Sequence, residues 1–149
     1  LICLLAFFLA GFSDYLDGYL ARKFQAQSEI GEILDPIADK ILVVFILFGL
    51  TVNLHSYLIA FLGSLIISRE VAIAALRDYA SRNNMSAKIQ VTYIAKTKTT
   101  FQFLSIFLYL FALSFKFNLL IIISDILLII TTILTIYSGY QYLMNFQKR

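Results

Sequence analysis

Disulfides, zinc sites and soluble surfaces all require residues that this sequence has little of. Among 149 residues there are one cysteine, one histidine, one proline and six glycines. The lone Cys3 has no partner for an intrachain disulfide and, placed in an apolar run, reads as a small buried hydrophobe. So few glycines and a single proline exclude a collagenous or low-complexity chain. Charge is scarce too: 14% of the residues are charged and 60% hydrophobic, against roughly 25% and 45–50% in a soluble domain. A mean hydropathy of +0.85, with 14 Phe and 9 Tyr, leaves too much apolar surface for a disordered chain. What remains is one small polytopic membrane domain, residues 1–149, without internal repeat or linker. A helical chain rising about 1.5 Å per residue would run to roughly 220 Å, enough for about five crossings of a ~30 Å hydrocarbon core.

The 21 charged side chains are unevenly spread. Nine fall between Asp14 and Lys40, eight between Arg69 and Lys98, and none between Ile41 and Ser68. The runs between these clusters predict an all-α bundle with spans at Leu1–Arg22, Glu32–Val52, Tyr57–Arg77, Thr99–Phe115 and Leu119–Met144. Short connectors, Asn53–Ser56 and Lys116–Asn118, make neighbours antiparallel. Arg22, Lys23, Arg82, Lys88, Lys96, Lys98, Lys148 and Arg149 then share one membrane face, against Lys116 alone on the other. The positive-inside rule makes the first face cytoplasmic. The net charge of +3 is thereby an orientation signal, and with no basic stripe no nucleic-acid partner is expected. The apolar start of the chain leads into a charged cluster and not a small-residue cleavage site, so it reads as a membrane helix entered partway and not as a signal peptide.

The chemistry concentrates in SDYLDGYLARKFQAQSEIGEILDPIADK, Ser13 to Lys40. Asp14 and Asp17 share a helix face, with Gly18, Ala21 and Arg22 on or beside it. Gly31, Asp35 and Asp39, spaced by four, form a second stripe. Two antiparallel helices bring the four carboxylates into one pocket near the interface, where repulsion and desolvation demand cations. Two divalent metals balance them, and an all-oxygen set without Cys or His suits Mg²⁺, Mn²⁺ or Ca²⁺ rather than Zn²⁺. Gly18 and Ala21 leave room for a ligand against the backbone, and Arg22 is a forked donor suited to phosphate. Together these residues point to a metal-bound diphosphate. Pro36 lies near the first turn of its helix, where few backbone bonds are lost.

The pattern Asp14-x2-Asp17-Gly18-x2-Ala21-Arg22-x8-Gly31-x3-Asp35-x3-Asp39 matches every position of the CDP-alcohol phosphotransferase signature. LDPIADKIL, SREVAIAALRDYA at Ser68–Ala80 and IAKTKTT at Ile94–Thr100 further resemble the phosphatidylglycerophosphate synthases of that family. The resemblance implies a six-helix membrane protein, generally a homodimer, that moves the phosphatidyl group of CDP-diacylglycerol to an alcohol and releases CMP in phospholipid biosynthesis. It implies Asp14, Asp17 and Asp35 as the main ligands of two Mg²⁺ or Mn²⁺ ions. Asp39 would be the general base while also lying close to a metal. Asp14, Gly18, Ala21, Arg22 and Gly31 would form the CDP site. It implies glycerol 3-phosphate as acceptor, and an active site at the cytoplasmic face of the inner membrane. Measured against the family pattern, the helix that begins at Leu1 corresponds to the second of six, so a sixth span is expected ahead of Leu1.

A phosphorylated acceptor needs its own cations, and Arg69, Arg77, Lys96 and Lys98 lie toward the same face. Arg69 stands inside an apolar span, where charge is costly and by default functional or paired. Its alternative is an ion pair with an acid such as Glu70, and the two lysines also fit positive-inside anchors. His55 reads as a solvated loop residue, Asp125 as an intramembrane acid of unknown partner, and Tyr140 and Tyr142 as members of an interfacial belt. The signature is shared with enzymes that use phosphatidylglycerol (giving cardiolipin), serine or an inositol phosphate, which stay open as acceptors. A cation-coupled transporter is the other functional class, but the acids cluster at one face and not at the midplane, and Gly18, Ala21 and Arg22 would have no evident role in it.

Overall fold

Within hydrocarbon every backbone N–H and C=O must be satisfied inside its own segment, so long apolar runs without internal Pro or Gly–Pro punctuation become helices. The computed structural model describes residues 2–9, 11, 13, 29–82 and 93–147, and these are all-α. Five helices follow in order: α1 (residues 2–9), α2 (Glu29–Leu54), α3 (Tyr57–Arg82), α4 (Tyr93–Phe115) and α5 (Asn118–Gln147). Four carry stretches long and apolar enough to cross a membrane, Ile37–Leu54, Tyr57–Arg82, Thr97–Phe115 and Asn118–Met144. The protein is an integral membrane protein.

Two near-identical turns reverse the chain. His55 (φ 49°) and Lys116 (φ 58°) adopt the left-handed conformation that ends a helix. The next amide reaches back to a carbonyl of the last turn, Ser56 N–H to Thr51 at 3.3 Å and Phe117 N–H to Ala112 at 3.0 Å. Ser56 then caps α3, its Oγ accepting from the Ile59 amide at 3.3 Å. These turns close one end of the bundle. Its other end collects the start of α2, the end of α3, the start of α4 and the end of α5, where the charges are.

Helices α3 and α4 run past the ends expected at Arg77 and Thr99, because a helix does not stop where the apolar run stops. An Arg82–Asp78 pair at 2.9 Å supports the extra turn of α3. Two expectations are corrected. Cys3 is exposed, since α1 packs on α4 through Phe7–Phe103 and Phe8–Phe107 and turns another face outward. Tyr142 is buried between helices and does not join an interfacial belt, whereas Tyr140 is exposed. His55 is exposed in its turn, as expected.

Packing inverts the habit of soluble proteins. Ser124, Leu128, Thr131, Thr135, Ser138 and Tyr142 of α5, spaced alternately by four and three, are buried. Large apolar side chains such as Ile122, Ile133, Phe45 and Phe48 point outward, where lipid solvates them. The hydroxyls of the seam bond mostly to carbonyls of their own helix, Ser124 to Leu120 at 2.7 Å and Thr131 to Leu127 at 2.8 Å. Helix α4 presents a matching row, Lys98, Gln102, Ser105, Tyr109 and Ala112, and packs more extensively on α5 than any other pair of helices. Ser105 Oγ donates to the Ser124 carbonyl at 3.1 Å, and the Tyr109 hydroxyl donates to Asp125, the partner that the sequence did not disclose. Such interhelical bonds in membranes contribute about 0.6 kcal/mol on average and about 1.7 at most. Tyr109→Phe, which leaves Asp125 without this donor, should therefore lower the thermal midpoint in detergent by a few degrees. A midpoint equal to the parent's would show that the pair contributes nothing.

Candidate active site

Asp39 opens the site. It lies on α2 one turn beyond Asp35 and two beyond Gly31, so the helix keeps the expected stripe. It lines a cavity of about 210 Å³ between α2, α3 and α4, together with Val43, Ile66, Glu70, Thr99 and Gln102. Opposite charges meet beside it. Lys98, only 2% exposed, donates from Nζ to Glu70 Oε1 across the α3–α4 seam. Glu70 is thus the partner of Lys98, and the alternative pairing with Arg69 is not what forms.

Arg69 turns the other way, toward α5. Its Nη2 donates to Ser138 Oγ at 2.7 Å, and Ser138 Oγ in turn donates to the Thr135 carbonyl at 3.1 Å. The side chain crosses α5 at Gly139, where an added Cβ would stand 3.2 Å from Arg69 Cγ and 3.3 Å from Nε. The Arg69 guanidinium lies 5.7 Å from the centre of the Tyr142 ring, and that of Arg77 lies 5.2 Å from it. Arg77 Nη2 also donates to the Tyr142 hydroxyl at 2.7 Å. Among the described residues neither arginine has a carboxylate within ion-pair distance, and Arg69 Nε is buried without an acceptor.

Asp14, Asp17, Gly18, Ala21 and Arg22 lie outside the described residues, and Asp35 and Lys96 are placed by their helices alone. Among the described residues no group of three or more Asp, Glu, His or Cys makes a metal site; of the four carboxylates expected to bind metal, Asp14 and Asp17 lie outside those residues and Asp35 is placed by its helix alone. The donor set itself, carboxylates without sulfur or imidazole, fits a hard divalent cation.

The sequence did not single out Glu70 as the partner of Lys98, nor Gln102, Ser138 or Gly139, and it named Tyr142 only as a belt residue. A faint signal existed: small and polar residues recur at helical spacing through an otherwise apolar α5, and such rows mark helix contacts in membranes.

An all-helical membrane bundle that gathers a carboxylate-lined cavity, a buried ion pair and two guanidinium groups at one end belongs to the enzymes that handle charged headgroups at a membrane face. The CDP-alcohol phosphatidyltransferase family model matches residues 1–137, and the chain belongs to that family. It is 42% identical over 143 residues to a Haemophilus influenzae protein, CDP-diacylglycerol–glycerol-3-phosphate 3-phosphatidyltransferase, covering 95% of this chain and 75% of that one. Proteins of the same name from Pectobacterium atrosepticum and Sodalis glossinidius are 35% and 34% identical, each alignment covering 96% of this chain and 77% of the relative.

The Lys98–Glu70 pair yields a test. Removing one partner of a buried pair strands the other and costs roughly 3–5 kcal/mol, whereas replacing both is far milder. Lys98→Met should lower the thermal midpoint markedly, and Lys98→Met with Glu70→Gln should recover most of the loss. A double variant no more stable than Lys98→Met alone would show that the two residues are uncoupled.

Proposed function

We propose that the protein transfers the phosphatidyl group of CDP-diacylglycerol to glycerol 3-phosphate, forming phosphatidylglycerophosphate and releasing CMP. The observation that carries the phosphorylated acceptor is the Arg69–Tyr142–Arg77 cluster. Two guanidinium groups share one ring, with no carboxylate partner among the described residues, at the same end of the bundle as Asp39. Such a pair calls for an anion, and arginine forks suit phosphate. The names of the relatives support the same acceptor. In this reading the bundle makes five crossings, with α1 in the first, and its charged end faces the cytoplasm at the inner membrane. The working unit is a homodimer.

Asp14, Asp17, Asp35 and Asp39 would hold two divalent cations, Mg²⁺ or Mn²⁺, which neutralise the diphosphate and stabilise departing CMP. Gly18, Ala21, Arg22 and Gly31, with Asp14, seat the cytidine diphosphate. Asp39 takes the proton of the acceptor hydroxyl, whose oxygen attacks the phosphorus bearing the diacylglycerol. The bond from that phosphorus to the bridging oxygen breaks, and the oxygen leaves with CMP. Arg69 and Arg77 hold the acceptor phosphate, with Lys96 and Lys98 adding positive charge toward it. Positioning and charge neutralisation suffice for this transfer, so no covalent nucleophile is required.

The test is a product assay in liposomes with CDP-diacylglycerol, Mg²⁺ or Mn²⁺ and, separately, glycerol 3-phosphate, phosphatidylglycerol, serine and an inositol phosphate. Lipid product and CMP should appear with glycerol 3-phosphate alone; turnover with a different acceptor would overturn the assignment. Asp39→Asn should lower kcat by about 100-fold or more while nucleotide binding suffers less, and substantial residual turnover would remove Asp39 as the base. Arg69→Ala should raise KM for glycerol 3-phosphate by roughly 10- to 100-fold, the worth of a hydrogen bond to a charged group, with KM for CDP-diacylglycerol little changed. Unchanged acceptor kinetics would free Arg69 from that role.

A further inference from the structure

The buried amide of Gln102 has no place in the reaction as described so far. Gln102 is 4% exposed, and its Oε1 is buried with no hydrogen-bond partner among the described residues. An acceptor left unsatisfied in such surroundings costs about 1–3 kcal/mol, and native folds seldom tolerate it without a reason. The residue is a wall of the same cavity that Asp39 and Glu70 line, whose remaining walls include Val43, Ile66 and Phe103. On α4 it stands one turn beyond Lys98. A small polar ligand in this cavity would meet Asp39 and Lys40 on α2, Glu70 on α3, Thr99 on α4, an otherwise apolar wall, and one amide oxygen that has no donor among the described residues.

We infer that Gln102 Oε1 accepts a hydrogen bond from the second hydroxyl of the acceptor alcohol, and so makes the enzyme select a phosphorylated vicinal diol. This rests on the proposed function. An amide oxygen repels a phosphate and cannot serve it. The attacking hydroxyl gives its proton to Asp39. On glycerol 3-phosphate the one donor left is the hydroxyl of the middle carbon. Sites built around a substrate hydroxyl reject analogues lacking it far more strongly than apolar pockets reject size changes, because the polar group of the site is then stranded.

The experiment compares glycerol 3-phosphate with 3-hydroxypropyl phosphate, which keeps the attacking hydroxyl and the phosphate but lacks the middle hydroxyl. Both are offered to the full chain in liposomes with CDP-diacylglycerol and Mg²⁺. The parent chain should favour glycerol 3-phosphate in kcat/KM by about 100-fold or more. Gln102→Leu should reduce that preference to within about 5-fold, with KM for CDP-diacylglycerol unchanged, a pattern that a merely structural residue would not produce. Gln102→Asn, which withdraws the oxygen by one methylene but keeps the amide, should also erode the preference, and it serves if the leucine variant does not assemble. Equal use of the two acceptors by the parent chain, or an undiminished preference in either variant, overturns the inference while leaving the activity intact. No product from glycerol 3-phosphate overturns the activity, and the inference with it.

Discussion

Inside a bilayer there is no water to satisfy a stranded polar group and little hydrophobic force to press helices together, so a buried donor or acceptor is costly unless it finds a partner in the bundle. That constraint shapes most of the helix contacts, with Arg69 Nε, Gln102 Oε1 and Thr135 Oγ1 the buried atoms left without a partner among the described residues. In the hydroxyl row of α5 the small side chains of Ser124, Thr131, Thr132 and Ser138 return hydrogen bonds to their own helix, leaving a smooth groove against which α3 and α4 can lie. The longer polar residues are then cross-links: Tyr109 to Asp125 between α4 and α5, Lys98 to Glu70 between α3 and α4, Arg69 to Ser138 and Arg77 to Tyr142 between α3 and α5. Removing these bonds would leave charges in hydrocarbon, so the helices are held in one register.

The same cross-links build the site. Helix α3 carries Arg69 and Glu70 side by side, and adjacent positions on a helix point about 100° apart. One therefore serves the α5 seam and the other the cavity bounded by α2 and α4. One flank, around Tyr142, carries two guanidinium groups with no carboxylate in ion-pair reach among the described residues, and the other, around Asp39, carries carboxylates together with Lys40 and Lys98. Gly139 makes the first flank possible: without a side chain there, the stem of Arg69 can cross α5 in close contact with its backbone.

Much of this was legible in the residues themselves. The charge-free stretches located α2 to α5, the antiparallel order followed from two short connectors, and the spacing of Gly31, Asp35 and Asp39 described their stripe on α2. Ends were less legible. Arg77 and Thr99 looked like boundaries because charge begins near them, yet α3 and α4 continue beyond, since a helix already nucleated in the bilayer propagates residue by residue without needing an apolar sequence. Cys3 and Tyr142 were misplaced for a related reason. Hydrophobicity says whether a residue tolerates lipid, not whether it faces lipid or a neighbouring helix, and an apolar helix carries only a weak mark of its inner face.

The sequence by itself determined that this is a membrane helix bundle, which end of it bears the charge, and which aspartates match the family's spacing pattern, because composition, span length and fixed spacing are local properties of a chain. Tertiary structure alone decided the partners: Glu70 with Lys98 and not Arg69, Tyr109 with Asp125, Arg69 across Gly139, and Gln102 in the cavity of Asp39. A pairing between residues as far apart as Arg69 and Ser138 depends on how helices rotate and slide against one another. In lipid that is set by which polar groups can satisfy each other, a condition that no single segment contains.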